Sequence, residues 1–290
     1  MRSYVPAYEL RTAASLEDAL ALLAELGDRW RPFAGGTDLM VLLEAGKLPH
    51  TRYVSLWGLD ALTGVIVSDG EIVVRALTTY AAIRGHEVLA REFPLLGAAA
   101  RETGGVATQN RGTIGGNIAN ASPAADTPPA LLVYDASLDL VSIRGARRVP
   151  YAAFHTGYKT MDLAPDELIA AVRLPRGRGW THQEYRKVGT RRAQAISKVC
   201  FAATLAVDAG IVTDVRLAFG SVAPISLRAA GAESALRGRR LDPDAIAAAS
   251  AALLHDIAPI DDVRSTAVYR STVAVNVMQR FLTDLGSTGS

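Results

Sequence analysis

The sequence predicts an α+β fold built as two consecutive domains. Segments with helical periodicity and segments of β-branched alternation follow one another without a regular βαβ repeat, an order typical of α+β proteins. Residues 175–179, Pro-Arg-Gly-Arg-Gly, combine chain-breaking residues with charge and mark the clearest boundary. The 290 residues suffice for two modest domains. We therefore predict one domain at residues 1–176, in two parts of approximately 1–56 and 57–176, and a second at 177–290.

The first part of the chain predicts alternating helices and short strands. Leucine and alanine recur at helical spacing after Ser15, which pairs with Asp18 as a helix-start cap. A short strand then ends at a Gly-Gly pair, and an apolar helical run follows it. The predicted elements are a helix at residues 15–26, a strand at 31–34, a helix at 39–43 and a strand at 53–56.

The second part opens with a hairpin. Asp69-Gly70 stands between two β-branched runs, which is a strong signal for a tight turn between paired strands. Residues 104–126 are rich in Gly, Asn, Thr and Ser, so we expect a long irregular loop with a functional role. The predicted elements are strands at residues 65–67 and 71–76, helices at 79–86 and 95–103, and strands at 138–143 and 167–174.

The second domain predicts a sheet followed by helices. Asp242 is placed to cap a helix that has Pro243 at its first position. A longer helix closes the domain, with an apolar stripe through Val273, Val277 and Phe281. The predicted elements are strands at residues 181–187, 199–207 and 212–219 and helices at 243–254 and 267–285.

Composition excludes several classes of protein. The charged fraction of 21% and the net charge of +2 are those of an ordinary globular chain and not of a nucleic-acid binder. The single cysteine, Cys200, is expected to pack in an apolar stretch, and it excludes an iron–sulfur cluster held by this chain alone. The five histidines show no ligand spacing, so we assign no metal and no catalytic residue. Residues 1–11 lack the apolar core of a signal peptide and no segment is long enough to span a membrane, so the expected location is cytoplasmic.

The first of two glycine-rich loops follows a predicted strand and precedes a predicted helix. Consecutive Gly35 and Gly36 allow left-handed backbone and close approach of a ligand, and amide groups at such a turn can hold an anion. The alternative is an ordinary strand-to-helix turn capped by Thr37 or Asp38. The loop alone predicts only an anion near a tight turn.

The second loop, residues 113–126, again joins a Gly-Gly pair to short polar side chains. Four of these side chains could all reach one ligand: Asn117, Asn120, Ser122 and Asp126. The alternative is a turn system held by local Asn and Asp hydrogen bonds. Neither loop matches the P-loop or the Rossmann glycine pattern, so a bound dinucleotide requires another architecture.

Six segments, in order, resemble one known family. Ala-Gly-Gly-Thr-Asp-Leu at residues 34–39 and the segment at 113–126 are similar to the FAD-binding, or medium, subunits of molybdenum hydroxylases of the xanthine dehydrogenase and carbon monoxide dehydrogenase type. The resemblance runs nearly end to end. Its further segments are residues 154–169, 185–199, and the pair 219–229 and 261–280 in the second domain.

The resemblance implies a fold and a set of cofactor-binding residues. The fold is a two-part FAD-binding domain of the PCMH or vanillyl-alcohol-oxidase type, followed by a smaller α+β C-terminal domain of sheet and helices. The first loop is expected to wrap the FAD pyrophosphate, mostly through backbone N–H groups. Lys187 is expected to contact FAD and to supply positive charge, and Ile169 to lie near a ring. The implied FAD-binding residues are Pro32, Phe33, Ala34, Gly35, Gly36, Thr37, Asp38, Leu39, Thr113, Ile114, Gly115, Gly116, Asn117, Asn120, Asp126, Ile169 and Lys187.

The resemblance also implies partners. A large subunit with a molybdenum cofactor oxidises the substrate, and a small subunit with two [2Fe–2S] clusters passes electrons to FAD on this chain and on to NAD⁺ or another acceptor. We expect a dimer of heterotrimers, most like xanthine dehydrogenase. Carbon monoxide, aldehyde and N-heterocycle dehydrogenases, a standalone flavin reductase such as an enolpyruvyl-sugar reductase, and a non-catalytic nucleotide-binding module remain alternatives.

Overall fold

Three sheets with their helices, and a separate two-stranded ribbon, form the described part of the molecule. The computed structural model describes residues 7–26, 30–191 and 194–286. Most of the stretch used above to test for a signal peptide therefore lies outside the described residues. In the described part of the chain, no helix combines the length and the apolar character needed to cross a membrane.

The first sheet is small and parallel, in the order β1-β3-β2. Ser15 accepts a hydrogen bond from the Asp18 amide at 3.1 Å, and Asp18 accepts one from Ala14, so the predicted helix start is confirmed. Because the strands are parallel, the loops after β2 and β3 leave from the same edge of the sheet. The elements are β1 (Glu9–Thr12), α1 (Leu16–Leu26), β2 (Arg31–Phe33), α2 (Thr37–Glu44) and β3 (Arg52–Ser55).

The second sheet has five antiparallel strands, in the order β4-β5-β10-β6-β7. The predicted hairpin is confirmed: β4 pairs with β5 across the Asp69-Gly70 turn. The strands are β4 (Val65–Val67), β5 (Glu71–Arg75), β6 (Ser137–Ser142), β7 (Gly145–Pro150) and β10 (Leu168–Pro175), with a separate two-stranded ribbon of β8 (His155–Gly157) and β9 (Thr160–Met161). The helices are α3 (Tyr80–Gly85), α4 (Glu87–Glu92), α5 (Pro94–Glu102), α6 (Val106–Arg111), α7 (Ile114–Ala119), α8 (Pro128–Val133) and α9 (Tyr151–Phe154).

The third sheet, β11-β12-β13-β14, is antiparallel and is covered by three helices. Asp242 caps the second of these helices by accepting from the Ala245 amide at 2.7 Å, as predicted. The predicted apolar stripe of the last helix packs on this core, with Phe281 buried and Val273 and Val277 partly buried. The fully buried residues Ala274, Met278 and Leu282 lie next to it and widen the apolar face. The elements are β11 (His182–Val188), β12 (Val199–Asp208), β13 (Ile211–Gly220), β14 (Leu227–Arg228), α10 (Ala230–Leu236), α11 (Pro243–Asp256) and α12 (Ala267–Gly286).

The apolar cores follow the sheets but do not separate completely. One cluster lies under the parallel sheet, a large one under the five-stranded sheet, and a third between the last sheet and its helices. Ala202 and Ala218, from β12 and β13, belong to the large cluster. The C-terminal sheet thus packs directly on the middle of the molecule.

The prediction of a long irregular loop at residues 104–126 is wrong. Helices α6 and α7 lie within it, each of six residues. Such short helices carry almost no periodic signal, and they are fixed here by contacts distant in sequence. Ile114 and Gly115 donate their amides to the carbonyls of Thr78 and Ala76, at 3.1 and 2.9 Å.

Candidate functional site

The first glycine loop lies at the carboxyl edge of the parallel sheet and has no room for side chains. A methyl group built on Gly35 would lie 1.9 Å from the carbonyl oxygen of Arg111, and one built on Gly36 would lie 2.5 Å from the Phe33 ring. Gly36 also has a φ of 75°, in the left-handed region. Glycine is therefore required at both positions.

Helix α2 begins at this loop without a side-chain cap. Gly36 occupies the capping position, and neither Thr37 nor Asp38 provides the cap weighed above. The amides of residues 37–39 find no acceptor among the residues that the structure describes. Free amides at the N-terminus of a helix attract an anion.

The second glycine pair behaves differently. Thr113 caps α7 by accepting from the Gly116 amide at 3.1 Å, and Asn117 donates its amide to the Thr113 carbonyl. The amides of Ile114 and Gly115 are also used, as described above. A methyl group on Gly115 would lie 2.6 Å from the Ala76 side chain. This pair allows close packing and leaves few amides free for a ligand.

The two loops face one another. A methyl group on Gly116 would lie 3.9 Å from the Ala34 side chain. Asn120 donates to the Asp38 carboxylate at 3.1 Å, and Lys159 donates to Asn120 Oδ1 at 2.9 Å. Burial lowers the pKa of Lys159, which the Asp38 carboxylate partly offsets. Segments 82 residues apart thus form one polar rim.

A buried ion pair joins the second loop to the C-terminal sheet. Lys187 on β11 binds the Asp126 carboxylate at 2.8 Å and the Glu102 carbonyl at 2.8 Å. Ser197 donates to the other carboxylate oxygen at 2.7 Å. Burial raises the pKa of Asp126 and Lys187 opposes that rise. The positive charge of Lys187 is therefore balanced within the protein.

The remaining predicted residues lie around these contacts. Asn117 accepts from Thr127 at 2.6 Å. Ile169 is 7% exposed and belongs to the large core. Its neighbour Ala170 accepts from the Ala76 amide at 2.9 Å, and the Ala76 carbonyl accepts from Gly115. Backbone hydrogen bonds of Ala170 and Ala76 thus connect the strand that carries Ile169 to the second glycine pair.

Three further side chains complete the site and were not predicted: Thr127, Lys159 and Ser197. Thr127 directly follows Asp126, and Lys159 lies in the Gly-Tyr-Lys-Thr segment of the family resemblance, so both had a usable signal. Ser197 lies in the resembling segment 185–199, but its contact with Asp126, 71 positions away, is made only by folding.

The chain matches two family models in succession. Residues 6–177 match the FAD-binding domain in molybdopterin dehydrogenase, and residues 183–285 match the carbon monoxide dehydrogenase flavoprotein C-terminal domain. The chain belongs to the FAD-binding subunits of the molybdopterin dehydrogenases. The expected α+β architecture, an FAD-binding domain followed by a smaller C-terminal domain, is thereby confirmed. The exact boundary between residues 176 and 177 stays a prediction.

Relatives of this FAD-binding subunit are named for different substrates. It is 33% identical over 260 residues to the xanthine dehydrogenase FAD-binding subunit of Escherichia coli O157:H7, covering 89% of each chain. It is 32% identical to the glyceraldehyde dehydrogenase medium chain of Sulfolobus acidocaldarius, covering 96% of this chain and 98% of that one. A structure of carbon monoxide dehydrogenase from Hydrogenophaga pseudoflava is similar with a TM-score of 0.92 and 28% identity, covering 97% of each chain.

The two glycine loops are compatible with binding the phosphate groups of FAD, the cofactor of the matched family. Gly35, Gly36, Gly115 and Gly116 allow backbone to approach where any larger residue would collide. The uncapped start of α2 offers donors to a phosphate group. The residues present therefore fit the cofactor that the family binds.

Proposed function

We propose that this chain is the electron-transfer subunit of a molybdenum-containing dehydrogenase, passing electrons from [2Fe–2S] clusters on a partner through FAD to NAD⁺ or another acceptor. The observation that carries the proposal is the pairing of two glycine loops, one with free amides and one packed tightly against it. A single buried cysteine supports the division of labour, because clusters then have to reside on other subunits.

The flavin supplies the redox chemistry when bound, and the protein supplies binding and orientation. We assign the residues 32–39 and the amides at the start of α2 to the pyrophosphate. The second loop faces the first across the site, and its surface there is formed by Thr113, Gly115 and Gly116. Its position is fixed by hydrogen bonds of Asn117, Asn120 and Asp126. We place Ile169 and Lys187 at the edge of the site nearest the core and the C-terminal sheet. Lys187 acts there by holding Asp126 in position.

The complex that we propose is most like xanthine dehydrogenase, with a large molybdenum subunit and a small iron–sulfur subunit assembled as a dimer of heterotrimers. The first support is the 33% identity to a xanthine dehydrogenase FAD-binding subunit. The second is the medium-chain architecture shared with carbon monoxide dehydrogenase. Substrate choice belongs to the large subunit of such a complex.

Purification of the chain alone tests the flavin site. We expect a yellow protein whose absorption spectrum shows bound flavin, and a colourless chain that takes up no added FAD would contradict the proposal.

Co-expression with neighbouring reading frames tests the partners. We expect two proteins to co-purify with this chain: a small subunit with ferredoxin-type cysteine spacing and a large molybdenum subunit. A chain that stays alone and oxidises NADH with its own substrate would instead indicate the standalone flavin reductase.

A further inference from the structure

The carboxyl edge of the parallel sheet carries a second feature besides the glycine loop. Trp57 follows β3 by two residues, and the Leu56 amide donates to the Phe33 carbonyl at 2.9 Å. Parallel strands end at the same edge. Trp57 and the loop that begins after Phe33 therefore lie side by side.

Arg111 approaches the same edge from the end of α6. Its carbonyl oxygen is the atom that excludes a side chain at Gly35. Its guanidinium lies over the Trp57 ring, with the carbon 3.7 Å from the ring centroid. The backbone of Arg111 thus packs on the glycine loop while its charge is held against the indole beside it.

Arg111 has no ion-pair partner in the part of the chain that the structure describes, residues 7–26, 30–191 and 194–286. The other two cations at the site already have protein acceptors: Lys187 binds the Asp126 carboxylate, and Lys159 binds the Asn120 side chain near the Asp38 carboxylate. A pyrophosphate brings negative charge that has to be paired or hydrogen-bonded when it leaves water.

An arginine stacked on an aromatic face keeps its hydrogen-bond donors at the edge of the guanidinium plane, where phosphate oxygens bind. The stack also limits the freedom that the side chain loses on binding. Both Arg111 and Trp57 are exposed, with Trp57 at 37%, so the pair contributes little to the core. Because the Arg111 backbone packs on Gly35, the pair lies next to the loop that leads into α2, where it is available to bind a ligand.

We propose that Arg111, held flat by Trp57, is the cation that binds the pyrophosphate of FAD and makes this site select the dinucleotide over riboflavin. The proposal rests on the FAD-binding function above. It assigns to Arg111 the charge compensation that the sequence suggested for Lys187, whose charge Asp126 already balances.

Titration of the flavin-free chain with FAD, followed by flavin fluorescence, tests this role. Arg111→Gln is expected to raise the Kd for FAD by about tenfold to a hundredfold, the range of one charge-assisted hydrogen bond. Arg111→Lys recovers part of the affinity, because the charge returns without the planar fork. The control Arg91→Ala removes an exposed arginine that pairs with its neighbour Glu92, and it leaves the Kd unchanged.

A double-mutant cycle separates the contribution of the Trp57 ring to FAD binding from that of the Arg111 charge. Trp57→Ala is expected to weaken FAD binding in the wild-type background and to add little to Arg111→Gln, because both act through one guanidinium. Added salt weakens FAD binding to the wild-type chain more than to Arg111→Gln. The affinity for riboflavin, which lacks phosphate, stays the same in both.

Each contrary result has a distinct meaning. Equal FAD affinity in wild type and Arg111→Gln overturns this proposal alone, whereas a wild-type chain that binds no FAD overturns the proposed function with it. An equal loss in Arg111→Gln and Arg111→Lys, with a matching fall in the melting temperature of the flavin-free chains, shows a structural role and also overturns the proposal.

Discussion

At the scale of single residues, the two glycine pairs differ in whether the backbone amides that follow them are hydrogen-bonded. The first pair opens a helix whose early amides have no protein acceptor among the described residues, whereas the second pair belongs to a helix whose early amides are all used. Similar sequence therefore serves two purposes. Gly36 precedes the free backbone amides at the start of α2. Gly115 and Gly116 have no side chain, so the second loop can pack closely against neighbouring segments.

Gly116→Val is expected to abolish retention of FAD while the C-terminal domain stays folded. The new side chain would begin 2.9 Å from Thr113 Oγ1 and would extend towards Ala34, which closes the gap between the loops. Flavin absorbance per chain measures the loss. Gly70→Val, at a turn with open space around it, is the control. Normal flavin content in Gly116→Val would count against the assignment of this loop.

Lys187→Ala is expected to weaken FAD binding more than Lys198→Ala does, and to lower the free energy of unfolding by about 3–5 kcal/mol because the buried Asp126 loses its partner. Lys198 instead lies over the exposed ring of Tyr269. Burial raises the pKa of Asp126 and Lys187 opposes that rise, so in the variant the carboxyl takes up a proton more readily in the folded state than in the unfolded one. The deficit of Lys187→Ala should therefore shrink as the pH falls. Urea unfolding at several pH values, with FAD titration, measures both effects, and equal effects of the two lysines would remove Lys187 from the site.

At the scale of elements, an ion pair secures the start of β10. Arg147 on β7 binds both carboxylate oxygens of Glu167, each at 2.7 Å, and the Ala164 amide donates to the same group at 2.8 Å. Arg147 holds the pKa of Glu167 below its usual value, against the opposing effect of burial. The pair fixes the strand that carries Ile169.

Glu167→Gln is expected to make the stability of the chain less sensitive to acid. Because the folded-state pKa of Glu167 is depressed, its contribution is present above the ordinary pKa of 4.5 and is lost as the pH falls through the folded value. The wild-type chain should thus lose more unfolding free energy between about pH 5 and about pH 3 than the variant does. Urea titrations at both pH values measure the difference, with the exposed Glu87→Gln as control. An identical loss in wild type and Glu167→Gln would contradict the linkage.

The elements that sequence predicts best are those fixed locally. The hairpin at Asp69-Gly70 and the helix capped by Asp242 depend on residues within a few positions, and both were found. Helices α6 and α7 depend on Thr78 and Ala76, and they were missed. The same limit applies to the site: its glycines are readable in the sequence, but the pairing of Asp126 with Lys187 joins residues 61 positions apart.

At the scale of the molecule, the site lies where the three sheets meet. The first loop belongs to the parallel sheet, the second is packed on the five-stranded sheet through Ala76, and Asp126 is held by Lys187 and Ser197 from the C-terminal sheet. A ligand bound there therefore contacts or supports parts of the whole chain.

Bound FAD is expected to stabilise the whole chain as one unit. Free FAD at a hundred times its Kd should add about 2.7 kcal/mol to the free energy of unfolding. Urea unfolding followed by circular dichroism and by the fluorescence of Trp30, Trp57 and Trp180 should give coincident midpoints that shift together. Gly116→Val should show no shift, and a shift confined to one probe would indicate that the halves respond separately.

The burial of Cys200 has a practical consequence. Its thiol lies among the Tyr185 hydroxyl and the Asp126 carbonyl, and burial raises its pKa, so the reactive thiolate is suppressed in the folded chain. As the only cysteine, it becomes available to an alkylating reagent only when β11 and β12 part from the second loop. The rate of alkylation of Cys200 thus reports how often this part of the flavin site opens.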